Sequence, residues 1–204
     1  PRPWGRSYVD SLGLEDEFFV MYSGNMGMGH EFDTFLDAAA RLQDAPDIQF
    51  LFVGGGKRRG EIEERVRADE LSNVRFAESV PLEDLSDLLA SARVHLMSMR
   101  PEVDGCLVPS KAYGILAAGR PCVMVGPRRS DVGRLLEQSQ AGLVFRRGDG
   151  AGLARALRRL KDRPERAIGM GRAGHEFYET HLGRDRSVSR ICKVLVPDGA
   201  TDSI

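Results

Sequence analysis

The chain has 204 residues, 42% hydrophobic and 29% charged, and its 29 Lys plus Arg against 30 Asp plus Glu leave a net charge of −1. At about 150 residues per domain this is one large domain or two small ones, with a core that needs no staple. The charge balance excludes a globally basic nucleic-acid coat and an acidic tail protein, and leaves room for a local basic pocket.

In chain order the pattern alternates strand and helix. Phe18 to Ser23 is apolar and ends at Gly24, and Phe32, Phe35, Leu36, Ala39 and Leu42 then recur at helical spacing. Ile48 to Val53 reads as the second strand, Lys57 to Asp69 as a charged helix, and Asn73 to Ala77 as a short third strand. Pro81 to Ser91 reads as a helix with Leu82, Leu85, Leu88 and Leu89 inward, followed by a strand from Val94 to Met99. After an irregular stretch, Pro109 to Ala118 reads as a helix closed by Gly119 and Pro121. Cys122 to Val125 is the fifth strand, Ser130 to Gln138 a helix capped by Ser130, and Leu143 to Phe145 the sixth strand. Helices over Asp149 to Lys161, Pro164 to His181 and Arg184 to Val196 close the chain, and residues 197–204 read as a flexible tail. Six strands joined by helices predict an α/β fold, a doubly wound six-stranded parallel sheet of Rossmann type, as one domain over residues 1–196.

Cys106, Cys122 and Cys192 are odd in number and far apart, which fits reduced thiols in the cytoplasm. No apolar run approaches the ~18 residues a membrane span needs. The start at Pro1, without Met, reads as a cut from something longer.

In a doubly wound sheet, ligands bind beyond the carboxyl ends of the strands. Four loops there are unusual. Gly24-Asn25-Met26-Gly27-Met28-Gly29-His30 lets backbone approach a ligand, although such glycines also serve any tight turn. Its spacing is not the dinucleotide pattern, and Gly54 replaces the acidic residue expected after the second strand. Gly54-Gly55-Gly56-Lys57-Arg58-Arg59 offers either phosphate contact or an exposed basic helix start. Pro109-Ser110-Lys111-Ala112 joins free amides, a hydroxyl and an ammonium at one helix start, as a diphosphate needs. In Arg100 to Gly105, Glu102 and Asp104 either accept from sugar hydroxyls or form a solvated acidic loop, and Gly105 leaves room for a ligand. His30, His95, His175 and His181 show no metal-ligand spacing, so no metal site is expected. His95, inside an apolar strand, reads as a core histidine, while Tyr113 and Tyr178 sit at helical positions that suit packing.

On these residues the sequence resembles the C-terminal donor-binding domain of GT-B fold glycosyltransferases, in the retaining family 4 (group 1) branch that builds bacterial surface polysaccharides. The resemblance rests on Tyr22 to Gly27, Phe52 to Gly56, Val74-Arg75-Phe76 with Val80-Pro81, and above all VPSKAYGILAAGRPCV from Val108 to Val123. It implies a nucleotide diphosphate-sugar as substrate, with no resident cofactor and no nucleic acid. Gly24, Asn25, Gly27, Gly55 and Lys57 would approach its phosphates or sugar, and Ser79 would face the base. Pro109, Ser110 and Lys111 would bind the diphosphate, with Lys111 catalytic, and Glu102, Gly105 and Tyr113 would complete the substrate site. The glutamate pair, eight residues apart in many relatives, falls here on Cys106 and Gly114. Glu78 stands where relatives often have Gly. The resemblance further implies a glycan or lipid-linked acceptor held by an N-terminal domain absent from this chain. It implies peripheral association of the whole protein with the inner face of the cell membrane, and a chain that alone lacks transferase activity. The same loops would serve a non-catalytic sugar-phosphate-binding module or a nucleotide-sugar epimerase.

Overall fold

The computed structural model describes residues 17–106 and 110–183, together with the single positions 8, 186, 188, 189, 192 and 195. Six strands form one parallel sheet: β1 Phe18–Ser23, β2 Ile48–Val53, β3 Val74–Ala77, β4 Val94–Ser98, β5 Cys122–Val125 and β6 Gly142–Phe145. Their order is β3-β2-β1-β4-β5-β6, so the chain reverses direction across the sheet between β1 and β4. That is the Rossmann order, and the crevice between the carboxyl ends of β1 and β4 is its topological switch point.

The helices are α1 Asp33–Ala40, α2 Arg59–Ala68, α3 Leu85–Ser91, α4 Lys111–Ala117, α5 Asp131–Ser139, α6 Gly150–Asp162 and α7 Pro164–Phe177. Both faces of β1 and β2 are buried, as continuous apolar strands require when helices cover both sides. One face meets α1, α2 and α6 through Phe32, Phe35, Ile62, Leu153 and Leu157. The helical spacing expected from Phe32 to Leu42 is the buried stripe of α1 and the turn after it. The other face meets α3 and α4 through Leu88, Ile115 and Leu116.

Local signals fix several boundaries. Ser130 caps α5, its Oγ accepting from the Gly133 amide at 3.1 Å. Gly119, at φ +68°, ends α4 with the paired bonds Gly119 N–H to Leu116 and Arg120 N–H to Ile115.

The structure corrects the sequence reading in four places. The charged helix begins at Arg59 rather than Lys57. The Pro81 to Ser91 segment starts as an extended Pro81 and a 3₁₀ turn, Leu82–Asp84, before α3. Three residues per turn in that stretch shift Leu82 off the α3 face, and it is 82% exposed rather than inward. The Pro164 helix leaves α geometry after Phe177 and continues as a π-helical turn, Tyr178–Leu182. Pro109, most of the 184–196 helix and the 197–204 tail lie outside the described residues.

Phe52 is fully buried in an aromatic cluster, with ring centroids 6.1 Å from Tyr22, 6.0 Å from Phe32 and 5.6 Å from Phe76. Phe52→Ala empties that centre and is expected to cost about 3–5 kcal/mol. Urea unfolding should show a lower midpoint with an unchanged slope.

Candidate functional site

A cavity of about 570 Å³ opens along the carboxyl ends of β3, β2 and β1, beside the start of α4. Ser79 and Val80 follow β3, Gly54 and Gly55 follow β2, Ser23 to Asn25 end β1, and Ser110, Lys111 and Gly114 come from the start of α4. Leu85, Leu88 and Leu89 of α3 supply an apolar wall.

The floor is built by two glycine loops in contact. The Gly24 amide donates to Val53 O at 2.9 Å, and the Met26 amide to Gly55 O at 2.7 Å. Gly54 holds φ +117°, and a Cβ there would lie 2.5 Å from the Gly24 carbonyl oxygen. Only a residue without Cβ permits this approach, so the β2 loop can lie against the β1 loop.

Above the floor sits Lys111. Its Nζ is buried, has no hydrogen-bond partner among the described residues, and lies 3.7 Å from the centroid of the Tyr22 ring. Tyr22 is itself fixed, wholly buried and donating its hydroxyl to Asn25 O at 2.8 Å. The ring face attracts the ammonium, but a π-face replaces little of the lost hydration. Burial therefore pulls the Lys111 pKa down from 10.5 to about 7. Among the described residues lining this cavity none is acidic, and Lys111 is the one cation. The Ser110 side chain makes no capping bond, so its hydroxyl is not engaged by the α4 amides.

Of the residues expected at the site, the cavity gathers Gly24, Asn25, Gly55, Ser79, Ser110 and Lys111. Gly27 stands behind it, where a Cβ would lie 3.1 Å from Asn25 Nδ2. Lys57 is exposed and outside the lining. Its neighbours in the basic run serve structure. Arg58 forks onto the Glu61 carboxylate at 3.1 and 2.7 Å, and Arg59 bridges Glu63, Glu78 and the Gly54 carbonyl. Glu102 and Gly105 sit in an exposed loop outside the lining. Tyr113, read both as a substrate contact and as a packing residue, is 40% exposed. It lines a separate hollow with Asp131, Arg134 and Leu182, because its position on α4 faces α5. His95 is the core histidine the sequence suggests: it is wholly buried, with Nε2 2.8 Å from Leu89 O. Of the leucines expected inward, Leu88 and Leu89 are buried but Leu85, in the first turn of α3, is 38% exposed, and all three line the cavity. The Tyr22 ring beneath Lys111 carried no sequence signal, because residues 89 positions apart meet only through the sheet order.

A doubly wound α/β domain with a cation-bearing cavity at its switch point is thus the class that fold and site define. The family described as "Glycosyl transferases group 1" matches residues 17–163, and the chain belongs to it. WcaI of Escherichia coli (strain K12), assigned as a colanic acid biosynthesis glycosyl transferase, is 30% identical over 129 residues, 63% of this chain and 31% of WcaI. Anabaena HepE, solved in complex with UDP-glucose, superposes with a TM-score of 0.79 at 16% identity, covering 93% of this chain and 51% of HepE. The C-terminal domain of the group 1 family protein LpcC from Francisella tularensis superposes at a TM-score of 0.72 and 12% identity, covering 90% of this chain and 95% of that domain. The fold is therefore that of GT-B glycosyltransferases. The chain spans about a third of the length of the curated relatives it matches. Among the described residues, no helix is long and apolar enough to cross a membrane.

The depressed Lys111 pKa carries a stability signature. Between about pH 7 and 10.5 the unfolded chain holds a proton on Lys111 that the folded chain has released. Stability therefore rises with pH in that window, by up to about 1.4 kcal/mol per pH unit from this group. Urea titrations of wild type and Lys111→Met should show that slope in the wild type only, with the variant's advantage largest below pH 7.

Proposed function

We propose that this chain is the donor-binding domain of a retaining glycosyltransferase that takes a sugar from a nucleotide diphosphate-sugar. The observation that carries the reading is the buried, unpartnered Lys111 ammonium facing a cavity at the β1/β4 switch point. An anion is the ligand that such a group lacks. The rest of the cavity suits the remainder of a nucleotide. Its apolar end, with Val80, Leu85, Leu88 and the Ser79 hydroxyl, accommodates a base at the β3 side. The glycine floor lets a diphosphate lie against backbone beside Lys111 and Ser110.

The chemistry follows from charge. As the bond between the sugar and the diphosphate breaks, negative charge grows on the leaving phosphate oxygen. An ammonium fixed in a dry site stabilises that charge more than it stabilises the ground state. The nucleotide-sugar is a substrate here, not a resident cofactor. In this reading residues 1–196 form one domain. A further domain outside this chain supplies the acceptor site, and the acceptor is a glycan or a lipid-linked glycan at the inner face of the cell membrane. The family 4 resemblance supports retention of anomeric configuration.

Two measurements test the reading. Calorimetric titration of UDP and GDP into this chain at pH 8, in buffers of different ionisation heat, should show uptake of up to one proton per diphosphate bound. The bound anion restores the proton that burial removes from Lys111, so Lys111→Met should abolish the uptake. In the intact enzyme, Lys111→Ala should lower turnover by about 10²–10³. Unchanged turnover would make Lys111 a structural residue and defeat the proposal.

A further inference from the structure

The mechanism above leaves one well-fixed polar group unused. His30 lies in the β1–α1 loop, and its main chain is held at both ends. Its amide donates to Gly27 O at 3.2 Å, and its carbonyl accepts from Arg58 Nη1 at 2.8 Å and Arg100 Nε at 3.1 Å. The ring is held too. Nδ1 lies 2.7 Å from the Ser98 carbonyl oxygen, at the carboxyl end of β4. A carbonyl only accepts, so Nδ1 carries the proton of that bond. Burial first, and then the Lys111 and Arg58 charges, lower the His30 pKa against the opposing pull of the Ser98 bond, and the lowered pKa favours the neutral ring. The tautomer is thereby set, and Nε2 presents a lone pair. Among the described residues Nε2 has no hydrogen-bond partner.

Among the described residues His30 is not part of the cavity lining, but it adjoins the cavity through Tyr22. The His30 ring meets Tyr22 edge-on at 5.9 Å, and the face of that Tyr22 ring carries the Lys111 ammonium at 3.7 Å. A nucleotide with its base at the β3 end and its diphosphate at Lys111 sends the next group toward β4, in the sheet order β3-β2-β1-β4. His30 stands over the end of β4. The group attached beyond the diphosphate is a sugar, whose hydroxyls are donors.

We infer that His30 is a specificity-determining residue, whose Nε2 accepts a hydrogen bond from a hydroxyl of the sugar on the donor. This inference rests on the nucleotide-sugar reading of the cavity and adds the residue that tells the sugar-bearing donor from the bare diphosphate. A neutral acceptor suits this task, because a cation in its place would hold the diphosphate whether or not a sugar followed.

The test compares each diphosphate with its sugar conjugate on this chain, using UDP with UDP-glucose and GDP with GDP-mannose. His30→Asn keeps an N–H where Nδ1 donates to Ser98 but offers no acceptor where Nε2 stood. His30→Gln keeps an acceptor near the Nε2 position. For the pair that binds wild type, His30→Asn should weaken the sugar conjugate about tenfold and leave the bare diphosphate within about twofold. His30→Gln should recover part of the loss. A variant that merely loosened the loop would weaken both ligands together, and that result overturns the inference while leaving the nucleotide reading intact. An unchanged ratio of the two affinities in His30→Asn overturns it as well. If neither UDP nor GDP binds the wild-type chain, the nucleotide reading fails and this inference falls with it.

Discussion

The arrangement of this domain turns on a single buried amine, whose proton burial loosens to a pKa of about 7. The Lys111 Nζ is enclosed by protein and has no hydrogen-bond partner among the described residues. Removing such a group from water costs several kcal/mol unless it is neutralised or matched. The surroundings reduce that cost only in part. The Tyr22 face supplies a quadrupole, and Gly24, held at φ +128°, brings the β1 loop backbone close to Nζ.

Keeping that charge in place requires rigid support. Tyr22 is pinned by Phe32, Phe35 and Phe52 on one side and by its hydroxyl bond to Asn25 on the other. Asn25 in turn lies against Gly56, where a Cβ would come within 2.5 Å of its Oδ1. Core packing, loop geometry and the position of the cation thus form one chain of contacts. Disturbing the aromatic cluster should act at the cavity as well as on stability. The buried Arg58, forked onto Glu61 and reaching the His30 carbonyl, ties α2 to the same loop.

Much of this was legible in the sequence. Strand and helix order followed from apolar runs and helical spacing, because tertiary burial and local pattern agree in strands covered on both faces. Ser130 and Gly119 announced their caps, since each uses its own backbone neighbours. The loops after β1 and β2 and the start of α4 were marked from sheet topology, and the structure brings residues of all three to one cavity. What escaped were consequences of contact across the fold. Nothing local distinguishes Arg58, which is buried and paired, from Lys57, which is exposed. Leu82 breaks the helical spacing because Pro81 starts a 3₁₀ turn, a difference of fractions of a residue per turn. Tyr113 sits two residues from Lys111, yet α4 turns it toward α5 and away from the cavity.

The glutamate pair that the resemblance leads one to expect bears on Lys111 directly. Its second position is Gly114, which lines the cavity, and a Cβ added there would meet Leu89 Cδ1 at 3.1 Å. A carboxylate projecting from that point would enter the cavity that Lys111 faces. It would act as a resident counter-ion, hold the ammonium charged, and compete with any incoming anion. With glycine there, no acidic side chain lines the cavity, and the proposed donor's diphosphate becomes the counter-ion itself. The same absence removes a carboxylate acceptor for ligand hydroxyls, so recognition beyond the diphosphate has to come from neutral groups. Ser79, Ser110 and Asn25 line the cavity, and the His30 Nε2 lone pair stands at the end of β4. In the proposed reading, charge binds the diphosphate and neutral hydrogen bonds discriminate what is attached to it. That division follows from one missing side chain.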